Sequence, residues 1–221
     1  MKKGKNCKIY DGVKIFDNVV IGDNVTIFPG AVIGRPPMST GATQRIVDVA
    51  KLPPAFIGDN CIIGCNAVIY SGVNISNNTM ICDNACVREG TKIGSYTVIA
   101  MGVTINYDAT IGNYVRIMDN THITGNMIIE DYVFIGPLVA TENDNSMGRI
   151  KMEIEEMGGP IIRKFATIGG GANILPNIEI GENALVSTNS LVNKNVKPKT
   201  LVAGVPAREI RKLLRTELRE E

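Results

Sequence analysis

Tryptophan is absent, Tyr and Phe together make up only 5% of the 221 residues, and there is one histidine, His122. A chain so poor in large rings cannot fill a broad sandwich core, whereas a thin stack of short β-branched strands suits it. One imidazole excludes a multi-histidine metal centre, and any imidazole base has to be His122. Excess charge is missing too. A net charge of +1 gives no broad field for nucleic acid or a membrane surface. No apolar run reaches the length of a membrane-spanning helix, and Met1-Lys2-Lys3 leads into no signal-peptide core, so a cytoplasmic protein without membrane insertion is expected. The five cysteines, Cys7, Cys61, Cys65, Cys82 and Cys86, are an odd number and argue against a disulfide framework.

What the chain has in abundance is Ile and Val at a period of six. One run comprises Ile9, Ile15, Ile21, Ile27 and Ile33. The same phase resumes at Ile57 and continues unbroken to Ile135, with Val87 the one Val. A third run comprises Ile168, Ile174, Ile180, Val186 and Val192, for twenty-four positions in all. A second small or β-branched residue stands two places earlier, as at Val25, Ala67, Val73, Thr97 and Val115. Alternation with period two puts both on the same inward face of a short strand. Corner dipeptides follow, such as Asp23-Asn24, Asp59-Asn60 and Asp83-Asn84, whose side chains tolerate the left-handed backbone.

Strand and corner in sixes close a triangular coil of three hexapeptides, and twenty-four of them predict about eight coils. Cys61, Cys65, Cys82 and Cys86 form two C-x3-C pairs. This period turns them to different positions around the coil, so small-hydrophobe packing is expected and no metal site.

The repeat breaks twice, at 34–55 and 142–166. Insertions in a repeat gather on its working face. Arg45 in the first, and Asn143, Asp144 and Arg149 in the second, are therefore candidate substrate-binding residues. His122 precedes the inward Ile123, so it points outward, and the eighteen-residue coil places Asn143 above Gly125 and Asp144 above Asn126. The β-helix is expected over 1–202, followed by a tail at 203–221 with a short α-helix from Arg208 to about Leu218 capping the open end.

The segment Ala166-Thr167-Ile168-Gly169-Gly170-Gly171-Ala172 through Gly181-Glu182-Asn183-Ala184, closing on Ala203-Gly204-Val205-Pro206-Ala207-Arg208, resembles the terminal coils of the hexapeptide-repeat acyltransferases. That resemblance implies an all-β, left-handed parallel β-helix, a homotrimer with sites between neighbouring prisms, and acetyl-CoA as acyl donor. It also implies a CoA groove formed here by Gly169, Gly170, Gly171, Ala184, Lys194, Lys197, Val205 and Arg208. In that groove, small residues would admit the pantetheine arm and cations would meet the phosphates. The γ-class carbonic anhydrases share this fold but bind metal through three histidines, which this chain lacks.

A narrower stretch, Arg116-Ile117-Met118-Asp119-Asn120-Thr121-His122 with Glu130-Asp131-Tyr132-Val133-Phe134-Ile135-Gly136-Pro137, Asn143 and Arg149, resembles the N-acetyltransferases of nucleotide-linked amino sugars. It implies that Asn120 sits beside the acetyl group, with His122 the candidate base. The first loop and Ile57-Gly58-Asp59-Asn60 also resemble the lipid A pathway acyltransferases. An amine acceptor is partly neutral near pH 7 and asks for little base catalysis. A hydroxyl acceptor needs the base, and a non-catalytic scaffold needs neither loops nor groove. The Asn120 side chain and the Gly169–Gly171 amides remain alternative oxyanion donors.

Overall fold

A computed structural model describes residues 1–40, 45–150 and 157–220. Short strands pair in parallel with strands one coil away and form three flat sheets, the faces of a triangular prism, with one antiparallel pair at the C-terminal end of the second. Face A starts at Lys2–Lys3, face B at Lys8–Ile9 and face C at Lys14–Ile15. The faces contain nine, eleven and nine strands. The fold is the left-handed parallel β-helix, with nine coils where about eight were expected. Three inward positions account for the difference, because none belongs to the counted Ile/Val series: Lys3 at the exposed end, the buried Thr141, and Ile162, which the second insertion throws out of phase.

Inside, the sequence period becomes packing. Ile27, Ile63, Ile99, Ile117 and Ile135 are all fully buried on face B, and the partner of each stands one coil above or below it. Each buried aliphatic contributes about 1.5–3 kcal/mol gross. Where the companion inward residue is Thr, its hydroxyl finds a carbonyl of the next coil: Thr79 donates to Gly94 O at 2.8 Å and Thr121 to Gly136 O at 2.8 Å. No polar atom is left dangling in that core position.

Corners take the left-handed conformation, as at Asn24 (φ 57°), Asn84 (φ 58°) and Asn120 (φ 57°). The A–B edge starts the same way, with Asn24, Asn60 and Asn78, and then changes residue type. There Tyr96, Tyr114, Tyr132 and Phe165 occupy the same left-handed position, and their rings stack with centroids 5.0, 4.8 and 5.2 Å apart.

Both insertions leave from face C and return to face A. The first runs from Val32–Arg35 to Ala55–Ile57 and holds a 3-10 turn at Val49–Lys51. The second leaves after Ala140–Thr141 and re-enters at Ile161–Ile162, which pairs with Ile128–Ile129. It therefore ends earlier than the expected residue 166.

The predicted C-terminal α-helix is not formed. Arg208–Lys212 instead folds back antiparallel on Thr200–Ala203, and a 3-10 turn at Arg215–Glu217 follows. The edge strand of the last coil offers unpaired amide and carbonyl groups, and pairing them outweighs a helix whose apolar side has nothing to pack on. The cap is real, but it is a strand.

Candidate functional site

Face C carries the outward column Thr104, His122 and Ala140, one residue per coil. His122 is half-buried, and its Nδ1 lies 2.8 Å from the Thr104 hydroxyl. Burial pushes the imidazole pKa below 6.5, and the Glu142 carboxylate pulls back in the opposite direction. The ring is therefore neutral near pH 7. In the tautomer whose Nδ1–H donates to Thr104, Nε2 keeps its lone pair and can take a proton, while Glu142 steadies the imidazolium that results.

The two insertions converge on Tyr107, at the turn between faces C and A. Arg45 from the first loop lies with its guanidinium 4.0 Å above the Tyr107 ring centroid. It also bonds the fully buried Glu89 and reaches Asp108 at 2.6 Å. From the second loop, Asn143 Nδ2 donates to the Tyr107 hydroxyl at 3.3 Å. Gly125 covers the same ring so closely that a Cβ there would stand 2.6 Å from Tyr107 Cε2. The eighteen-residue register explains the geometry: Asn143 passes over Gly125 and reaches the coil below it. Asp144 holds the loop itself, accepting from the Ser146 amide at 2.6 Å and the Gly148 amide at 2.9 Å; the Ser146 hydroxyl first, and then these amides, lower its pKa. Arg149 is exposed beyond that turn.

Asn120 stands one edge away, at the B–C corner just before His122. Its Oδ1 occupies the space over Gly102, 2.4 Å from where a Cβ would be. The same corner continues through Leu138, Gly171 and Asn189, each amide bonding a carbonyl of the coil below. It ends at the Gly204–Ala207 turn, where the Val205–Pro206 peptide is cis and Val205 is exposed. Asn120, the glycine run and Val205 thus share one edge. Of the three glycine amides, Gly169 donates to Val186 O at 2.8 Å and Gly171 to Pro137 O at 2.9 Å. Gly170 is the one outside the ladder and thus the oxyanion candidate of the three.

The remaining predicted groove residues are placed elsewhere. Ala184 is buried at the A–B edge. Lys194, Lys197 and Arg208 line a separate depression of about 220 Å³ on the last coil, where Lys197 Nζ lies 3.8 Å from Glu209. Thr104, Tyr107 and Glu142 were not singled out from the sequence. The spacing marks two of them: Thr104 is one eighteen-residue coil before His122, and Tyr107 two coils before Asn143. Among the described residues no group of three or more His, Cys, Asp or Glu side chains gathers as metal ligands. No helix among them is long and apolar enough to cross a membrane.

Residues 54–87 match the hexapeptide repeat of succinyl-transferase. By sequence the chain is similar to a serine acetyltransferase of Buchnera aphidicola, 40% identical over 92 residues, which are 42% of this chain and 35% of that protein. It is also similar to a chloramphenicol acetyltransferase of Escherichia coli, 33% identical over 37% of this chain and 39% of that one. The matches to the serine acetyltransferases of Buchnera and Schizosaccharomyces pombe span between 19% and 35% of those proteins' length.

By structure it is similar to the UDP-N-acetylglucosamine acyltransferase of Campylobacter jejuni, with a TM-score of 0.73 and 20% identity over 93% of this chain and 75% of that one. It is also similar to the GDP-perosamine N-acetyl transferase of Caulobacter crescentus, with a TM-score of 0.53 and 23% identity over 61% of this chain and 57% of that one. The chain is a hexapeptide-repeat left-handed β-helix, with the fold on which these acyltransferases are built.

Proposed function

We propose that the protein is an acetyl-CoA-dependent N-acetyltransferase whose acceptor is the amino group of an amino sugar, carried on a nucleotide. The observation that carries this reading is His122: a neutral imidazole, supported by Thr104 and Glu142, on the face toward which both insertions fold. The acceptor nitrogen attacks the thioester carbonyl, forming the C–N bond. The oxyanion is met by the Gly170 amide or the Asn120 side chain, and His122 takes the ammonium proton. As the C–S bond breaks, that proton passes to the departing sulfur. Positioning and oxyanion stabilisation supply most of the rate, and the base contributes about a hundredfold or more.

Acetyl-CoA would run along the B–C edge from Asn120 past Gly169–Gly171 to Val205. Of the cations assigned to it, Lys194, Lys197 and Arg208 lie beyond that edge on the last coil, at the reach of a long nucleotide end. Asn143, Asp144, Arg149 and Arg45 would frame the acceptor. A homotrimer completes the reading, supported by the exposed apolar strip of Ile62, Met80 and Met101 that a neighbouring prism would cover.

A hydroxyl acceptor is the second reading. The sequence likeness to serine and chloramphenicol acetyltransferases favours it, and a neutral base is worth more to a hydroxyl than to an amine. Titrating the purified protein calorimetrically with acetyl-CoA tests both. Micromolar binding at one site per chain is expected, and no binding removes CoA as the donor.

A further inference from the structure

Beneath the first loop lies a pocket of about 400 Å³ that the chemistry at His122 does not use. Its floor is face C, two to four coils below His122, and its roof is the apolar run Pro37, Met38, Ile46 and Val47. Arginine and tyrosine alternate across the floor. The Arg35 guanidinium lies 4.7 Å from the Tyr70 ring centroid and donates to the Tyr70 hydroxyl. Arg88 stands between rings, 6.0 Å from Tyr70 and 5.4 Å from Tyr107. Arg45 closes the row over the other ring.

Among the described residues, three guanidiniums line the pocket and no carboxylate does. Glu89 and Asp108 bind Arg45, and Glu89 also binds Arg88 at 3.0 Å, but Glu89 is wholly buried beneath them. Among the described residues Arg35 has no acidic partner. The carboxylates and the rings hold the forks in place; three guanidiniums against Glu89 and Asp108 leave one net positive charge at the pocket, and Arg35 is the fork that no carboxylate meets. A planar guanidinium fixed against a ring, with its N–H groups turned to an enclosed space, suits phosphate oxygens. The apolar roof suits a base.

We propose that this pocket binds a nucleoside diphosphate, with Arg35 and Arg88 on the phosphates, Tyr70 between them, and the base against Met38 and Ile46. This rests on the acceptor reading above and deepens it. Arg88 stands two coils, roughly 10 Å, from His122. A diphosphate held there leaves a sugar's length between the phosphates and the His122 imidazole, enough for an attached hexose to lay its amino group at the ring. Arg45 is the hinge of the arrangement, pinning the loop that forms the roof.

The test is calorimetric titration with uridine diphosphate, inorganic pyrophosphate and uridine, on the wild-type protein and on Arg35→Gln, Arg88→Gln and Arg35→Lys. Acetyl-CoA is titrated into the same samples, and each variant's melting temperature checks its fold. Uridine diphosphate is expected to bind tightest and uridine weakest. Either glutamine variant should weaken the diphosphate roughly tenfold or more while acetyl-CoA binds as before. Arg35→Lys should recover part of the loss, because charge returns without the fork. Pyrophosphate binding as tightly as the nucleotide would reduce the site to a phosphate site and overturn the nucleoside assignment. Diphosphate binding unchanged in folded glutamine variants would overturn the pocket and leave the acetyltransferase reading standing. Loss of acetyl-CoA binding by the wild type, with diphosphate binding intact, would do the reverse.

Discussion

Asn143 in the second insertion donates to the hydroxyl of Tyr107, thirty-six residues earlier and two coils below, and so ties that loop to the ring on which Arg45 of the first loop rests. The side chain gets there because Gly125 leaves the intervening coil bare. Two loops far apart in sequence are thereby held against one aromatic side chain, at the corner of face C one coil below that of His122.

Gly125→Ala should break this link. Its methyl would stand 2.6 Å from Tyr107 Cε2, so the ring has to move and both loop contacts go with it. The expected cost is about 1–3 kcal/mol in denaturant unfolding, with a raised acceptor KM. Tyr107→Phe keeps the ring under Arg45 and loses only the Asn143 bond, so it should cost about 0.5–1.5 kcal/mol. Equal losses in the two variants would mean that the hydroxyl bond, and not the ring position, holds the loops.

The pH dependence follows from His122. Its pKa is lowered, so the base form persists below 6.5 and is lost only as pH falls through the lowered value. The kcat/KM profile should therefore have an acid limb midpoint below 6.5. Glu142 raises that pKa, so Glu142→Gln should move the limb to still lower pH, and His122→Ala should remove it along with about a hundredfold of kcat. A limb that stays put in Glu142→Gln would assign it to another group. Stability has the same sign. The unfolded state accepts the proton more readily, so the folded protein loses stability as pH falls below 6.5, measured as the acid dependence of the unfolding free energy.

The tyrosine ladder gives a test free of chemistry. Tyr114 has φ +56° and stacks on both Tyr96 and Tyr132. Tyr114→Asn replaces two stacking contacts with a residue that favours the left-handed corner, and should cost about 1–3 kcal/mol from the lost pairs. Tyr114→Val loses the pairs and adds a β-branched residue where the backbone resists it, so it should cost more than Asn does. Denaturant midpoints of the two variants decide the order.

Much of this architecture is legible in the sequence, because each inward Ile obeys the same local rule: six residues, one corner, one buried methyl-rich side chain. The outward position of His122 follows from the same arithmetic. Departures occur where a single residue type stops reporting its environment. Lys3 and Thr141 hold inward positions without being aliphatic, and Ile162 is aliphatic but out of phase, so nine coils read as eight. Arg208–Lys212 carries enough apolar spacing to look helical, yet the unpaired edge at Thr200–Ala203 claims it as a strand. Tyr107 is marked in the sequence only by its thirty-six-residue spacing to Asn143, and its role depends on Gly125, one coil away, having no side chain between them.

The central claim is that acetyl transfer from CoA to an amine takes place at the His122 face. The direct measurement is thiol release from acetyl-CoA with matched acceptors, a nucleotide-linked amino sugar and its hydroxyl counterpart, on wild type and His122→Ala. The account predicts turnover with the amine, little with the hydroxyl, and a rate about a hundredfold lower in the variant. Turnover only with the hydroxyl acceptor, or an unchanged rate in the variant, would contradict it.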